Sequence, residues 1–200
     1  MDETVLASMA KWPNVPSVYG WLELDRRGRW RIKGEPITHA GFNEFIARNY
    51  THDIEGRWYF QNGPQRVYVR IAYLPYVVRA AAGPDGLRLC THTGREVLAP
   101  THAWIDEQGN VVVEVDSTAG LISDQDLEVV VRWIRNTQGT SVDDEKLSNA
   151  IEKARLGATP GITLQYGTDL LPVASLRSQD APEKFRFVAD PAPAPGEPDC

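Results

Sequence analysis

The sequence predicts an α+β protein in which two hairpin-plus-helix halves surround mainly antiparallel sheet, with an extra helix and a C-terminal hairpin appended. Three observations carry this expectation. Asp-x-x-Gly recurs before apolar alternating runs, at Asp25 with Gly28, Asp53 with Gly56 and Asp106 with Gly109. This pattern suits a type I turn followed by a left-handed glycine, which lacks the Cβ that opposes positive φ. Amphipathic helical spacing follows a capping residue at Thr38 and again at Ser123. An offset of 85 residues then lays Ile37, Thr38, Phe42, Phe45 and Ile46 on Ile122, Ser123, Leu127, Val130 and Val131. Trp21 to Gly28 similarly resembles Trp104 to Gly109, so the chain reads as a structural repeat.

Taken in order, residues 1–18 form a short leader carrying a helical turn, with Pro13 and Pro16 close together and no clear period. Residues 19–83 form the N-terminal half. There Arg29, Trp30, Arg31, Ile32 and Lys33 alternate basic and apolar, the mark of a strand with one wet face. A helix runs from Thr38 as N-cap to about Asn49. Strands follow through Trp58 to Phe60, Arg66 to Tyr73 and Tyr76 to Ala82, with Pro75 breaking the ladder because it has no N–H.

Residues 84–136 form the C-terminal half, holding the Asp106 hairpin and a helix opened by Ser123 that buries Leu127, Val130, Val131 and Ile134. Residues 137–189 add a helix capped by Ser141 and ended by Gly157, with Leu147, Ala150, Ile151 and Ala154 on one face. Its acidic start and basic end match the helix dipole. A hairpin closes across Gly167, Thr168 and Asp169. Residues 190–200, rich in proline, are expected to be disordered.

Composition excludes several functions. The 200-residue chain carries a net charge of −6 and a pI near 5.2. A chain-wide attraction to nucleic acid or anionic membrane would need clustered positive charge, so no membrane and no nucleic-acid partner are expected. Met1 to Ala10 lacks the basic and apolar regions of a secretory signal. No run reaches the roughly 20 apolar residues of a membrane helix. Cys90 and Cys200 are too few for a disulfide framework, and a cytoplasmic location is expected. Without a strand–Gly-rich-loop–helix unit, the dinucleotide and phosphate-loop readings fall away.

No constellation defines an activity, and no catalytic residue, metal ligand or cofactor is assigned. Cys90 and His92 could pair as thiolate and imidazole, and His102 with Asp106 supplies further metal-ligand types, but the spacing fits no zinc knuckle. Charge is more informative. Residues 25–33 hold five basic residues and one acidic. Arg29, Arg31 and Lys33 form one period-two row, and Arg66, Tyr68 and Arg70 a second. If those strands pair, the rows form a basic face suited to phosphate or carboxylate. The expected function is a non-enzymatic ligand-sensing or protein-interaction module meeting an anionic small molecule or an acidic partner. The alternatives are an enzyme using Cys90, His92 and His102, and a weak nucleic-acid binder.

Several strings carry a family resemblance. They are residues 18–28 (VYGWLELDRRG), residues 45–50 (FIARNY), residues 56–69 (GRWYFQNGPQRVYV) and residues 91–95 (THTGR). Together they resemble an uncharacterised proteobacterial family of unknown function, of the DUF2946 type, over roughly residues 12–187. More distantly, the Gly-x-Trp hairpin, the Pro36-Ile37 entry and the following helix are similar to the DUF1285-like family, whose two related α+β halves imply the same duplication here. Neither resemblance implies a catalytic or ligand residue.

Overall fold

The computed structural model describes residues 1–12 and 15–196, which divide into two compact units. Unit 1 comprises residues 1–75 together with the chain from Arg186 onward, and unit 2 runs from Tyr76 to Phe185. The first stretch of unit 1 ends at Pro75, where the sequence predicts a boundary at Gly83. The segment from Arg186 returns to unit 1 instead of staying with the closing hairpin. Of the tail expected to be disordered, residues 190–196 carry no helix or strand, Pro191 is buried, and residues 197–200 lie outside the described residues.

Unit 1 begins with α1 (Glu3–Lys11), a longer helix than the leader's composition suggested. Asp2 anchors it: its N–H donates to Asn49 Oδ1 at 2.8 Å, and its carboxylate lies 3.3 Å from Arg48. Then come β1 (Val18–Leu24), β2 (Trp30–Ile32), β3 (Glu35–Pro36), α2 (Ala40–Arg48), β4 (Tyr50–His52), β5 (Trp58–Asn62) and β6 (Gln65–Ile71). The sheet order is β3-β2-β1-β6-β5-β4, with β1 and β6 parallel and the other neighbours antiparallel. The cap of α2 is His39 rather than Thr38; its Nδ1 accepts the Phe42 N–H at 3.1 Å. One sheet face packs against α2, where Phe42 and Phe45 set their rings edge-on to Phe60 at 6.2 and 5.3 Å and Ile46 is fully buried. The opposite face stacks Tyr19 on Tyr68 at 4.5 Å, with Tyr59 against Tyr68.

Unit 2 contains β7 (Tyr76–Gly83), β8 (Gly86–Thr91), β9 (Ala103–Asp106), β10 (Val111–Val115), β11 (Thr118–Ile122), α3 (Leu127–Val131), β12 (Ile134–Asn136), α4 (Asp144–Arg155), β13 (Ile162–Tyr166), β14 (Asp169–Leu176) and α5 (Ala181–Lys184). Its order is β12-β13-β14-β9-β10-β11-β7-β8, with β14 parallel to β9 and β11 parallel to β7. The helix expected from Ser123 to Ile134 is cut short. A 3-10 turn over Asp124–Asp126 leads into five α-helical residues, and Ile134 lies in a strand. The β-branched run Val129-Val130-Val131 disfavours helix, and Val131 stays 40% exposed rather than joining the core. Asp126 is drawn away to β7, where it accepts Arg79 Nε at 2.5 Å and the Ala80 N–H at 3.0 Å. The cap of α4 is Asp143, accepting the Lys146 N–H at 2.8 Å, while Ser141 bridges to Arg135.

The three Asp-x-x-Gly turns close hairpins as expected. At Asp106 the buried carboxylate accepts the N–H groups of Gln108 and Asn110, both at 2.9 Å, and Gly109 takes φ +83°. Asp106→Ala should therefore destabilise by about 2–3 kcal/mol in denaturant titration, since two turn amides lose a charged acceptor that is itself buried. Asp106→Asn keeps the oxygen that accepts both amides but loses the one that accepts the Asn110 Nδ2–H at 2.7 Å, so it should cost less than Asp106→Ala without being neutral.

Glycine at the second turn meets a further demand. A Cβ on Gly56 would meet the Arg186 carbonyl oxygen, whereas one on Gly34 would meet nothing within 4 Å, although both have positive φ. Gly34→Ala should cost about 1 kcal/mol for its conformation alone. Gly56→Ala should cost several times that, with the difference read as a lower melting midpoint.

Candidate functional site

The two basic rows do not lie on neighbouring strands, because β1 runs between β2 and β6. Glu23 on β1 stands in register with Arg31 on one side and Arg70 on the other. The Arg70 guanidinium lies 2.5 Å from Glu23. Arg29 donates to Asp25 at 2.7 Å, and Arg31 lies 3.6 Å from the same carboxylate and donates to the Gly34 carbonyl. Tyr68 is 1% exposed, and its hydroxyl donates to Asp53 at 3.1 Å. Three of the four arginines are thus engaged by carboxylates, Arg29 and Arg31 sharing that of Asp25, and the row's aromatic is interior. The sequence showed each row's alternation but not the acid-bearing strand inserted between them.

Lys33 and Arg66 differ from the others. Neither forms an ion pair among the described residues, and each stands over an aromatic ring: Lys33 Nζ at 3.9 Å from Trp21, and the Arg66 guanidinium at 4.9 Å from Tyr59. Lys33 lies just past β2 in a tight turn, at φ +49°, with Gly34 at φ +85°. Two successive positive φ values define the type I′ turn, which ordinarily takes Asn, Asp or Gly first. Lys33 is therefore not on the row of Arg29 and Arg31.

Trp21 connects Lys33 to a cavity that sequence reasoning missed. It has a volume of about 380 Å³ and lies between the sheet and α2, walled by Val18, Trp21, Leu22, Ile32, Phe42, Ile46, Phe60 and Val67, with Asn62 and Gln65 as its polar members. A backbone irregularity helps to shape it. The register of β1 on β6 passes from Val18 opposite Val67 to Leu22 opposite Val69, and Gly20 inside that bulge takes φ +70°. The extra residues break the in–out alternation and leave Trp21 47% exposed. Phe42 and Ile46, four apart on α2, could have pointed to this face. No pattern of residue types records that their side chains leave space.

The residues of the alternative site do separate work. Cys90 is a half-buried free thiol with Sγ 3.6 Å from the Thr91 carbonyl. His92 Nδ1 accepts the Val77 N–H at 3.2 Å, and burial pushes its pKa down to about 3, so it is neutral at pH 7. An imidazole so poised cannot stabilise a thiolate as a cation. His102 stacks on Trp104 at 5.8 Å and meets the Thr101 hydroxyl at 2.7 Å. The Asp106 oxygens serve their turn. Among the described residues no group of three or more His, Cys, Asp or Glu is arranged to hold a metal ion.

Fold and cavity together define the class: a two-unit α+β protein with an apolar pocket of small-molecule size in one unit. The family model DUF2944, described as "Protein of unknown function (DUF2946)", matches residues 1–192, and the chain belongs to that family. No curated protein matches it. Among solved structures it is similar to a DUF1285 family protein from Silicibacter pomeroyi DSS-3, with a TM-score of 0.53 and 18% identity over 88% of this chain and 97% of that one. A DUF1285 family protein from Shewanella baltica OS155 gives a TM-score of 0.41 and 16% identity over 58% of this chain and 91% of that one. The first likeness supports the α+β fold alone.

The buried imidazole makes a pH prediction. Folding lowers the His92 pKa from about 6.5 to about 3. The unfolded chain therefore binds the proton more tightly than the folded one. Stability from this group is complete above about pH 6.5 and is lost as pH falls toward 3. His92→Gln, which can still accept the Val77 N–H, should flatten the fall in melting midpoint over that window.

Proposed function

We propose that unit 1 is a non-enzymatic ligand-binding module whose site is the cavity beneath α2. One observation carries this reading: a space of about 380 Å³ walled by apolar and aromatic side chains, with few polar groups and a half-exposed tryptophan. Small-molecule sites are of this size and lining. The anionic partner expected from the basic rows is kept as a class, while its place moves from the carboxylate-paired arginines to the pocket. We further read the two units as products of a duplication. Supporting this, β1 to β6 with α2 and β9 to β14 with α3 follow the same chain order and the same lateral strand order, read from opposite ends of the two sheets. A bacterial origin follows the resemblance carried by residues 56–69, and a cytoplasmic placement is consistent with the free thiol of Cys90.

The test fills the pocket. Val67→Phe adds a ring to the cavity wall and should weaken binding of the fluorescent probe 1-anilinonaphthalene-8-sulfonate at least tenfold, without lowering the melting midpoint. Unchanged probe affinity in a folded Val67→Phe protein would place binding elsewhere and overturn the assignment.

A further inference from the structure

We infer that the cavity's ligand is an amphipathic monocarboxylate, with its apolar body under α2 and its carboxylate held at the mouth by Lys33. This rests on the reading of unit 1 as a ligand-binding module and names the chemical class that the module takes.

The apolar requirement comes from the walls. Eight of the ten lining residues are apolar or aromatic, and none carries a charge. A ligand charged along its whole length would lose its hydration against Phe42, Phe60 and Val67 without recompense. The body that enters must be hydrocarbon or aryl, and rings can lie against Trp21, Phe42 and Phe60.

The anionic requirement comes from Lys33. Arg29, Arg31 and Arg70 already have carboxylate partners, whereas the Lys33 ammonium has none among the described residues. Its nearest acidic neighbour in sequence, Glu35 on the edge strand β3, is exposed and forms no ion pair with it. Nζ rests 3.9 Å from the centre of the Trp21 ring, which is itself part of the cavity wall. A cation over a ring is oriented without being neutralised, so its charge remains available to an incoming anion. A single ammonium, unlike a guanidinium fork, suits one compact carboxylate.

The turn beneath it adds a cost that packing does not explain. Lys33 adopts φ +49°, a conformation that asparagine or glycine would take with less strain. The conformation places the ammonium over the rim tryptophan. At this position a better turn former is forgone for a charge set on the rim tryptophan.

The experiment is isothermal titration at pH 7 of the full chain with octanoate, 1-octanol and octylamine, which share a tail and differ in head group. It is repeated for Lys33→Asn and Val67→Phe. Octanoate should bind at least fivefold tighter than octanol, and octylamine should bind weakest. Lys33→Asn installs a favoured turn residue, so it should melt no lower than the wild type. It should also bring octanoate down to the affinity of octanol while leaving octanol unchanged. Equal affinities for the three heads, or an octanoate preference that survives Lys33→Asn, would overturn the carboxylate assignment while leaving the pocket standing if Val67→Phe weakens all three. If none of the three binds the wild type, the pocket reading falls and this inference with it.

Discussion

A side-chain oxygen that accepts two backbone N–H groups across a glycine turn is the constraint on which both sheets depend. Asp25, Asp53, Asp106 and Asn136 each accept from the residues two and four positions on, at 2.9–3.1 Å. The glycine three positions on takes φ between +76° and +83° and returns its N–H to the carbonyl of the first residue. A hairpin tip otherwise leaves these amides to water, and the side chain fixes both the turn type and the register of the strands leaving it. Thr91 repeats the device with a hydroxyl, accepting the Arg95 N–H at 3.1 Å, with Gly94 at φ +81°. A neutral amide does the same job as a carboxylate, and a hydroxyl does half of it, so geometry rather than charge is what the turn requires.

These turns recur at corresponding points of the two strand orders. Asp25 and Asp106 open the turn from the first strand of each six-strand set to the second, and Asn136 ends the strand after α3 much as Asp53 follows the strand after α2. The sets then diverge in ways that bear on the site. In unit 1 the set ends in β3, two exposed residues that include Pro36, which cannot extend a ladder. In unit 2 the corresponding strand, β11, continues into β7 and β8. The helix over the first set has nine residues and that over the second five, so only the first reaches along the sheet by more than two turns. The cavity lies under the longer helix, beside a strand whose bulge has turned a tryptophan outward.

What was legible in the sequence follows from this. Turns are local, so the Asp-x-x-Gly strings identified their hairpins correctly. An aspartate-only pattern passes over Asn136 and Thr91. Caps are local too, yet the sequence points to Thr38 and Ser141 where the structure uses His39 and Asp143, since several polar residues precede each helix and only one reaches the third amide. Lateral strand order is not local. The parallel pairing of β1 with β6 joins segments more than forty residues apart and puts Glu23 between Arg31 and Arg70. A cavity is less local still, because it is a mismatch of volumes summed over five elements. Trp21 gave no sign in the sequence that it would stand at an opening.

Charge shows how the same residues can suggest a site and then relinquish it. The cluster over residues 25–33 is basic by count, but the field felt by a ligand depends on distance, and at 2.5–3.6 Å the Asp25 and Glu23 carboxylates offset part of the charge of Arg29, Arg31 and Arg70. Exposed pairs of this kind add little to stability. Their larger effect is competitive: Glu23 and Asp25 already occupy three guanidinium groups that an anion would meet. Other cations are held on aromatic faces, Arg26 among them at 4.6 Å from the Tyr73 ring, where quadrupole attraction orients a cation and leaves its monopole intact. Arg66 sits on the tyrosine face and Lys33 at the tryptophan that walls the pocket. Apolar volume adjoins an unneutralised cation at Lys33, and it is there, rather than in the richer arginine cluster, that an amphipathic anion gains from both ends of its structure.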